Sequence, residues 1–171
     1  MNFVSGFFLY HSEEYITFWL IVTLMEEYEL RNIYLPGYDD IEDGLPGLSY
    51  HANKLNEILK LKLNEAYFIF KNNNIQLKII IVEWIFSLFS SIIPLEVQIN
   101  FYEGFFAEGW DFFYKMCLSI MIYYNISSRD FHDSDDVYLA LKMEKDNENI
   151  GKNSSVWIEI INNAYKLDIN N

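Results

Sequence analysis

Apolar residues recur every three or four positions along most of this chain, the spacing that puts them on one face of an α-helix. The spacing is clearest at Leu48, Ala52 and Leu55, and again at Val156 and Ile160. It predicts helices over residues 13–28, 48–59, 63–70, 76–90, 94–108, 110–124 and 134–143, and a last one capped by Ser154 or Ser155.

The stretches between these helices carry residues that start or end them. Asparagine tolerates the left-handed conformation that closes a helix, and residues 72–74 are all asparagine. Pro94 suits the first turn of a new helix, and Gly109 interrupts the apolar spacing. Residues 36–46 begin and end with a proline that is followed by glycine, and they predict a loop. Helix following helix across short connectors predicts one all-α domain over residues 1–171.

The beginning of the chain is too apolar for a free surface helix. Met1–Tyr10 has almost no polar face, and Ser12 is placed to cap the helix that follows it. Residues 15–25 are apolar almost all round, which predicts a helix buried on most sides. We therefore expect other polypeptide to cover Met1–Tyr10.

Composition and charge narrow the classes of function. Hydrophobic residues make up 51% of the chain and aromatic residues 18%, enough for a large packed core. The formal net charge is −13, which opposes binding to phosphate backbones. We therefore predict no nucleic-acid partner.

One apolar run raises the question of a membrane span. Residues 79–95 are mostly apolar, but Glu83 lies inside the run and Lys78 at its edge. A span needs about twenty apolar residues with few charges, so a buried helix is the favoured interpretation. A small membrane protein with two spans, the second over residues 112–124, is a weaker alternative that extraction without detergent would exclude.

The residues able to carry chemistry do not form a recognisable catalytic or metal motif. His11, His51 and His132 are far apart in sequence, and we interpret each as a surface or helix-end residue. Cys117 lies in an apolar run without an activating base, so we interpret it as a core residue. The aspartates around residue 132 lack the central glycine of a calcium loop. We predict no catalytic residue, no metal and no cofactor.

Several aromatic motifs stand in a characteristic order. They are Met1-Asn2-Phe3-Val4-Ser5-Gly6-Phe7-Phe8-Leu9, Glu14-x-x-x-Phe18-Trp19-x-x-x-x-Leu24-Met25, Trp84-x-Phe86-x-Leu88-Phe89, Ile93-Pro94-Leu95 and Tyr102-Glu103-x-Phe105-Phe106-x-Glu108-Gly109. In order and spacing the chain resembles the C-terminal half of a TBC domain, the all-helical GTPase-activating domain for Rab proteins. The family usually has Trp-Asp where this chain has Tyr102-Glu103.

The resemblance implies a right-angled or bundle-like helical domain and a Rab-type small GTPase as partner. It also implies a cytoplasmic location, at or near endomembranes, and a chain that is not an integral membrane protein. A partner chain or the missing N-terminal half would cover Met1–Tyr10. Eight residues match the family pattern and are expected to be structural: Trp19, Trp84, Phe86, Pro94, Leu95, Glu103, Phe105 and Gly109.

The family acts through two side chains that it supplies to the GTPase, called fingers. One is an arginine from the motif I-x-x-D-x-x-R and the other is a glutamine from the motif Y-x-Q. The only arginines here are Arg31 and Arg129, and neither follows the required aspartate. The only glutamines are Gln76 and Gln98, and neither follows the required tyrosine. The resemblance therefore implies a binding and scaffolding part of a Rab regulator that is inactive in isolation and is no enzyme by itself.

Alternative origins and functions remain open at this point. The chain could be a fragment of a longer protein, the product of a gene read from an internal methionine, or a truncated pseudo-activator. A structural helical subunit of a larger assembly, using the fold only for packing, is the alternative function.

Overall fold

A computed structural model describes residues 2–37, 44–128, 134–141 and 153–170. These ranges contain α-helices and no strand, which confirms the all-α fold. The helices are α1 (Asn2–His11), α2 (Glu14–Glu26), α3 (Arg31–Tyr34), α4 (Pro46–Lys62), α5 (Asn64–Asn72), α6 (Leu77–Ser87), α7 (Gln98–Glu108), α8 (Trp110–Tyr123), α9 (Ser134–Leu141) and α10 (Ser154–Lys166). The 3₁₀ turns Leu95–Val97 and Ile126–Ser128 precede α7 and follow α8.

The helix ends at asparagine and glycine are confirmed. Asn74 closes α5 with a φ of 53°, and Gly109 separates α7 from α8 with a φ of 62°. Helix α6 ends at Ser87, three residues before the predicted end, because Leu88 and Phe89 both adopt left-handed backbone. Both side chains are fully buried, so their packing offsets a conformational cost of about 1–2 kcal/mol per residue.

The predicted N-terminal caps are wrong for two helices. The Ser12 hydroxyl donates to the Phe8 carbonyl at 2.8 Å, so it closes α1 instead of opening α2. The last helix is capped by Asn153, whose side-chain oxygen accepts from the Ser155 backbone N–H at 3.1 Å. The cap therefore lies one residue before Ser154 and two before Ser155, the two predicted positions.

Aromatic rings from α6, α7 and α8 form the centre of the core. The Phe89 ring lies 5.7 Å from Trp84, 5.2 Å from Phe101 and 5.1 Å from Phe113 between centroids.

Cys117 on α8 is buried as predicted, and burial raises the pKa of its thiol well above the usual value. None of the helices in the described ranges has the length and apolar character needed to cross a membrane.

Helix α10 packs across α8 through one apolar stripe. Of the predicted stripe, Trp157, Ile160, Ile161 and Ala164 are buried and Val156 is half-buried. The Ser119 hydroxyl of α8 donates to the Ile160 carbonyl at 2.6 Å, which fixes the two helices against each other. The C-terminal helix is thus part of the same core.

Candidate interaction surface

The apolar start of the chain forms helix α1, which sits on α7. Val4, Phe7 and Phe8 are buried. The Phe7 ring stacks on Tyr102 with centroids 4.5 Å apart and planes 17° apart, and Phe8 lies 4.9 Å from the same ring. Tyr102, which stands where the TBC pattern has tryptophan, therefore supplies the aromatic platform for α1.

The outer sides of α1 and α2 carry large apolar side chains that nothing described covers. The α1–α2 apolar face consists of Phe3, Leu9, Tyr10, Tyr15, Ile16, Phe18 and Trp19, which are between 48% and 72% exposed. The prediction that α2 is buried on most sides is wrong, since only Thr17 and Leu24 are buried along it. Helix α2 packs mainly against its sequence neighbours α1 and α3, which leaves its outer side open.

The size of this face is that of an interaction surface. Seven side chains of this size and exposure present roughly 800 Å², about one partner's share of a standard protein interface. Monomeric proteins rarely expose contiguous apolar patches much larger than a few hundred Å². Exposed Glu13 and Glu14 lie beside the patch, at the start of α2. The two helices together therefore expose enough apolar area to be a candidate docking site.

The eight residues of the family pattern occupy different environments, and their structural role stays a prediction. Trp84 and Phe105 are buried; Phe86, Pro94 and Gly109 are half-buried; Trp19, Leu95 and Glu103 are exposed. Tyr34 on α3 holds Phe86 in place. Its hydroxyl donates to the Phe86 carbonyl at 2.8 Å, and the two rings meet edge to face. The exposed Trp19 belongs to the α1–α2 apolar face, where its ring lies 6.4 Å from Tyr15 and 5.4 Å from Phe18 between centroids.

The arginine and glutamine side chains in the described ranges are engaged elsewhere or stand in no finger motif. Arg31 pairs with Glu26 at 3.2 Å on the surface. Gln98 is buried, and its amide donates to the Ser90 and Ile93 carbonyls at 3.1 and 2.7 Å. Gln76 is exposed at the start of α6. Arg129 lies outside the described residues.

The prediction that His51 is a surface or helix-end residue is wrong. His51 is 7% exposed, whereas His11 is exposed as expected and His132 lies outside the described residues. The His51 Nδ1 shares a hydrogen bond of 2.8 Å with the Tyr114 hydroxyl, and its ring lies 4.0 Å from Trp110. Desolvation lowers the pKa of His51 to about 4. Its spacing from Leu48 and Leu55 was the available sequence signal for burial.

The described residues offer no metal site and no activated nucleophile. Across the ranges in the structure, no three His, Cys, Asp or Glu side chains converge closely enough to hold a metal ion. The buried thiol of Cys117 has a raised pKa, the opposite of what a nucleophile needs. Of the aspartates around residue 132, Asp135 and Asp136 lie in the first turn of α9, whereas Asp130 and Asp133 lie outside the described residues.

Comparison with known proteins gives a consistent match. The sequence model of the Rab-GTPase-TBC domain family matches residues 1–127, so residues 128–171 lie beyond the match. Rab GTPase-activating protein eat-17 of Caenorhabditis elegans is 29% identical over 120 residues, 70% of this chain and 12% of that protein. Drainin of Dictyostelium discoideum is 29% identical over 125 residues, 72% of this chain and 27% of that protein.

A yeast relative extends the same picture. The GTPase-activating protein GYP5 of Saccharomyces cerevisiae is 26% identical over 123 residues, 71% of this chain and 13% of that protein. The chain therefore spans well under half the length of these relatives. Because the family match covers most of the helical core, from α1 to the turn after α8, the chain belongs to the Rab-GTPase-TBC domain family.

Proposed function

We propose that this chain is the binding and scaffolding part of a TBC-type regulator of Rab GTPases, acting in the cytoplasm at or near endomembranes. We also propose that it does not stimulate GTP hydrolysis by itself. The observation that carries the proposal is the combination of the family match over residues 1–127 with an α1–α2 apolar face left open.

The expected inactivity follows from the chemistry of GTP hydrolysis. A GTPase activator supplies an arginine that stabilises charge in the transition state, which is worth about 10³–10⁵ in rate, while a glutamine orients the attacking water. The surface-paired Arg31 and the buried Gln98 stand in neither sequence motif. Moving Gln98 to a GTPase would leave two core carbonyls without their donor.

The α1–α2 apolar face is the proposed seat of a polypeptide that carries the two fingers. Its roughly 800 Å² would match the apolar side of a complementary half-domain. A second copy of this chain is a poorer occupant, because each copy carries a net charge of −13 and would repel the other. In this arrangement the chain completes the helical core and the other half supplies the catalytic side chains.

The first prediction concerns the isolated chain. Single-turnover GTP hydrolysis by a panel of Rab proteins is expected to proceed at the intrinsic rate when the purified 171-residue chain is added. The reason is that the chain contributes neither finger. An acceleration of any Rab that persists after repurification of the chain would contradict the proposal.

The second prediction concerns the α1–α2 apolar face. Phe18→Asp is expected to weaken association with a finger-bearing TBC half at least about tenfold, because a charge would replace an exposed ring that packs 5.4 Å from Trp19 on this face. Phe68→Asp is the matched control, since Phe68 is a similarly exposed phenylalanine on α5, outside the face. Binding measured by calorimetry should change for Phe18→Asp only. An equal loss of affinity in both variants would show that the α1–α2 apolar face is not the binding surface.

The alternative function is a structural helical subunit of a larger assembly, which the same open face favours. It differs in one measurable respect, because such a subunit has no need to contact a Rab protein. A chain that associates with a finger-bearing half through the α1–α2 apolar face, yet neither binds nor activates any Rab in that complex, would support this alternative.

A further inference from the structure

A second concave site lies away from the α1–α2 apolar face. A cavity of about 430 Å³ opens between the α2–α3 connection with α3, the first half of α4 and the start of α8. This volume falls within the range of small-ligand sites in proteins. Its aromatic lining comes from Tyr50 and His51 on α4 and from Trp110 and Tyr114 on α8.

The aromatic wall is held in place by hydrogen bonds and ring contacts. The Trp110 indole N–H donates to the Tyr28 carbonyl at 2.8 Å, which fixes the ring. The His51 ring lies 4.0 Å from Trp110 between centroids, and Tyr50 meets His51 edge to face at 5.2 Å. A flat group entering the cavity would therefore meet positioned ring surfaces.

The charged groups of the cavity are predominantly acidic. Glu29 and Asp111 contribute carboxylates, and Lys54 is the single cation among the described lining residues. Among the residues that the structure describes, one side chain donates to Asp111, the Asn170 amide at 3.3 Å. A carboxylate can accept about four, so it keeps capacity for a ligand. The chain's charge of −13 adds a long-range attraction for cations.

His51 adds a polar atom to the floor without adding charge. The side chain is 93% buried, Nδ1 is occupied by Tyr114, and Nε2 has no hydrogen-bond partner within the described ranges. Burial keeps the ring neutral near pH 7, because the pKa of His51 is lowered to about 4. A neutral ring does not repel a cation, and its free nitrogen can accept an N–H donor when Nδ1 carries the proton.

We propose that this cavity binds a guanidinium group, the head group of an arginine side chain. A guanidinium is flat, stacks on aromatic faces and donates paired hydrogen bonds to carboxylates, which is what Trp110, Tyr50, Glu29 and Asp111 together can receive. Anionic ligands would meet the two carboxylates instead. The site does not depend on the proposed Rab function.

The test is a titration of the intact chain followed by NMR. Blocked arginine (N-acetyl-arginine N-methylamide) should shift the Trp110 indole and His51 ring signals in a saturable way. Blocked citrulline, its neutral isostere, should leave them in place, and blocked lysine should bind more weakly because its ammonium cannot form the paired contact. Saturable binding of citrulline as tight as that of arginine, or no response to arginine, would overturn the proposal.

Variants of the charged residues assign the contacts. Asp111→Asn and Glu29→Gln should each weaken arginine binding about tenfold, as expected for losing a charge-assisted hydrogen bond. Lys54→Met should tighten it. Glu57→Gln, an exposed carboxylate on α4 outside the cavity, is the control and should bind like the parent chain. Unchanged affinity in both Asp111→Asn and Glu29→Gln, with thermal midpoints confirming folding, would also overturn the proposal.

Two sources of the guanidinium are separated by the same titration. If an arginine within a short peptide binds more tightly than methylguanidinium, the ligand is an arginine of a partner polypeptide. If methylguanidinium binds as tightly, a small free guanidinium compound fits the site. Both outcomes support the guanidinium chemistry, and neither bears on GTP hydrolysis.

Discussion

Replacing Trp84 by alanine is expected to lower the free energy of unfolding by about 3–5 kcal/mol. The side chain is 3% exposed, and its ring packs 5.7 Å from Phe89, which itself contacts two further rings of the core. Truncation would leave a cavity beside residues whose left-handed backbone depends on packing. Denaturant unfolding followed by circular dichroism measures the loss.

Trp19→Ala is the matched control for that experiment. Trp19 belongs to the same sequence pattern but is 51% exposed, so the same truncation is expected to cost less than about 1 kcal/mol in the isolated chain. Equal losses for the two tryptophans would show that Trp19 is part of the core. A loss below about 1 kcal/mol for Trp84→Ala would contradict the described packing of α6.

Acidification from pH 7 to pH 5 is expected to remove about 2 kcal/mol of stability through His51 alone. The pKa of a histidine in the unfolded chain is about 6.5, whereas desolvation lowers that of folded His51 to about 4. Between these values the unfolded state binds a proton that the folded state excludes. Stability therefore falls as the pH falls through this window, and is retained above it.

The His51→Gln variant isolates this contribution from the carboxylates. It cannot take up the proton, so its stability should fall by about 2 kcal/mol less than that of the parent chain between the same two pH values. The comparison uses the difference within each protein, which cancels any constant cost of the substitution. Parallel pH profiles for the two proteins would show that His51 is not desolvated in the folded chain.

The helical part of the fold could be predicted from local spacing. Gly109 and Asn74 mark helix ends through their own backbone preferences, which need no tertiary information. The α10 stripe from Trp157 to Ala164 was predicted correctly because one apolar face alternates with a polar one. These signals are carried by residues within a turn or two of each other.

The errors arose where contacts distant in sequence decide the outcome. An all-round apolar helix such as α2 can be buried by its own domain or await a partner, and its sequence is the same in both cases. His51 is buried because Tyr114 and Trp110, far along the chain, provide a hydrogen bond and a stacking surface. Local propensity opposes the left-handed backbone of Leu88 and Phe89, so this conformation depends likewise on core packing.

The cavity beside His51 was missed for the same reason. Glu29, Asp111 and Tyr50 are separated by at least twenty positions in sequence, and only the meeting of the α2–α3 connection, α4 and α8 brings them together. The α1–α2 apolar face, by contrast, was predicted in part, because the apolar sequence of Met1–Tyr10 indicates that other polypeptide covers it. Its extension over Tyr15, Phe18 and Trp19 came from the structure.

The central claim is that this chain works as a TBC part that needs the fingers from elsewhere. The most direct test is single-turnover GTP hydrolysis by a Rab panel with this chain, with a separately expressed finger-bearing half of a relative's TBC domain, and with both. The account predicts an acceleration of about 10³-fold or more only with both, lost when the finger arginine is replaced by alanine. Acceleration by this chain alone, or a stable complex of both halves that activates no Rab, would contradict it.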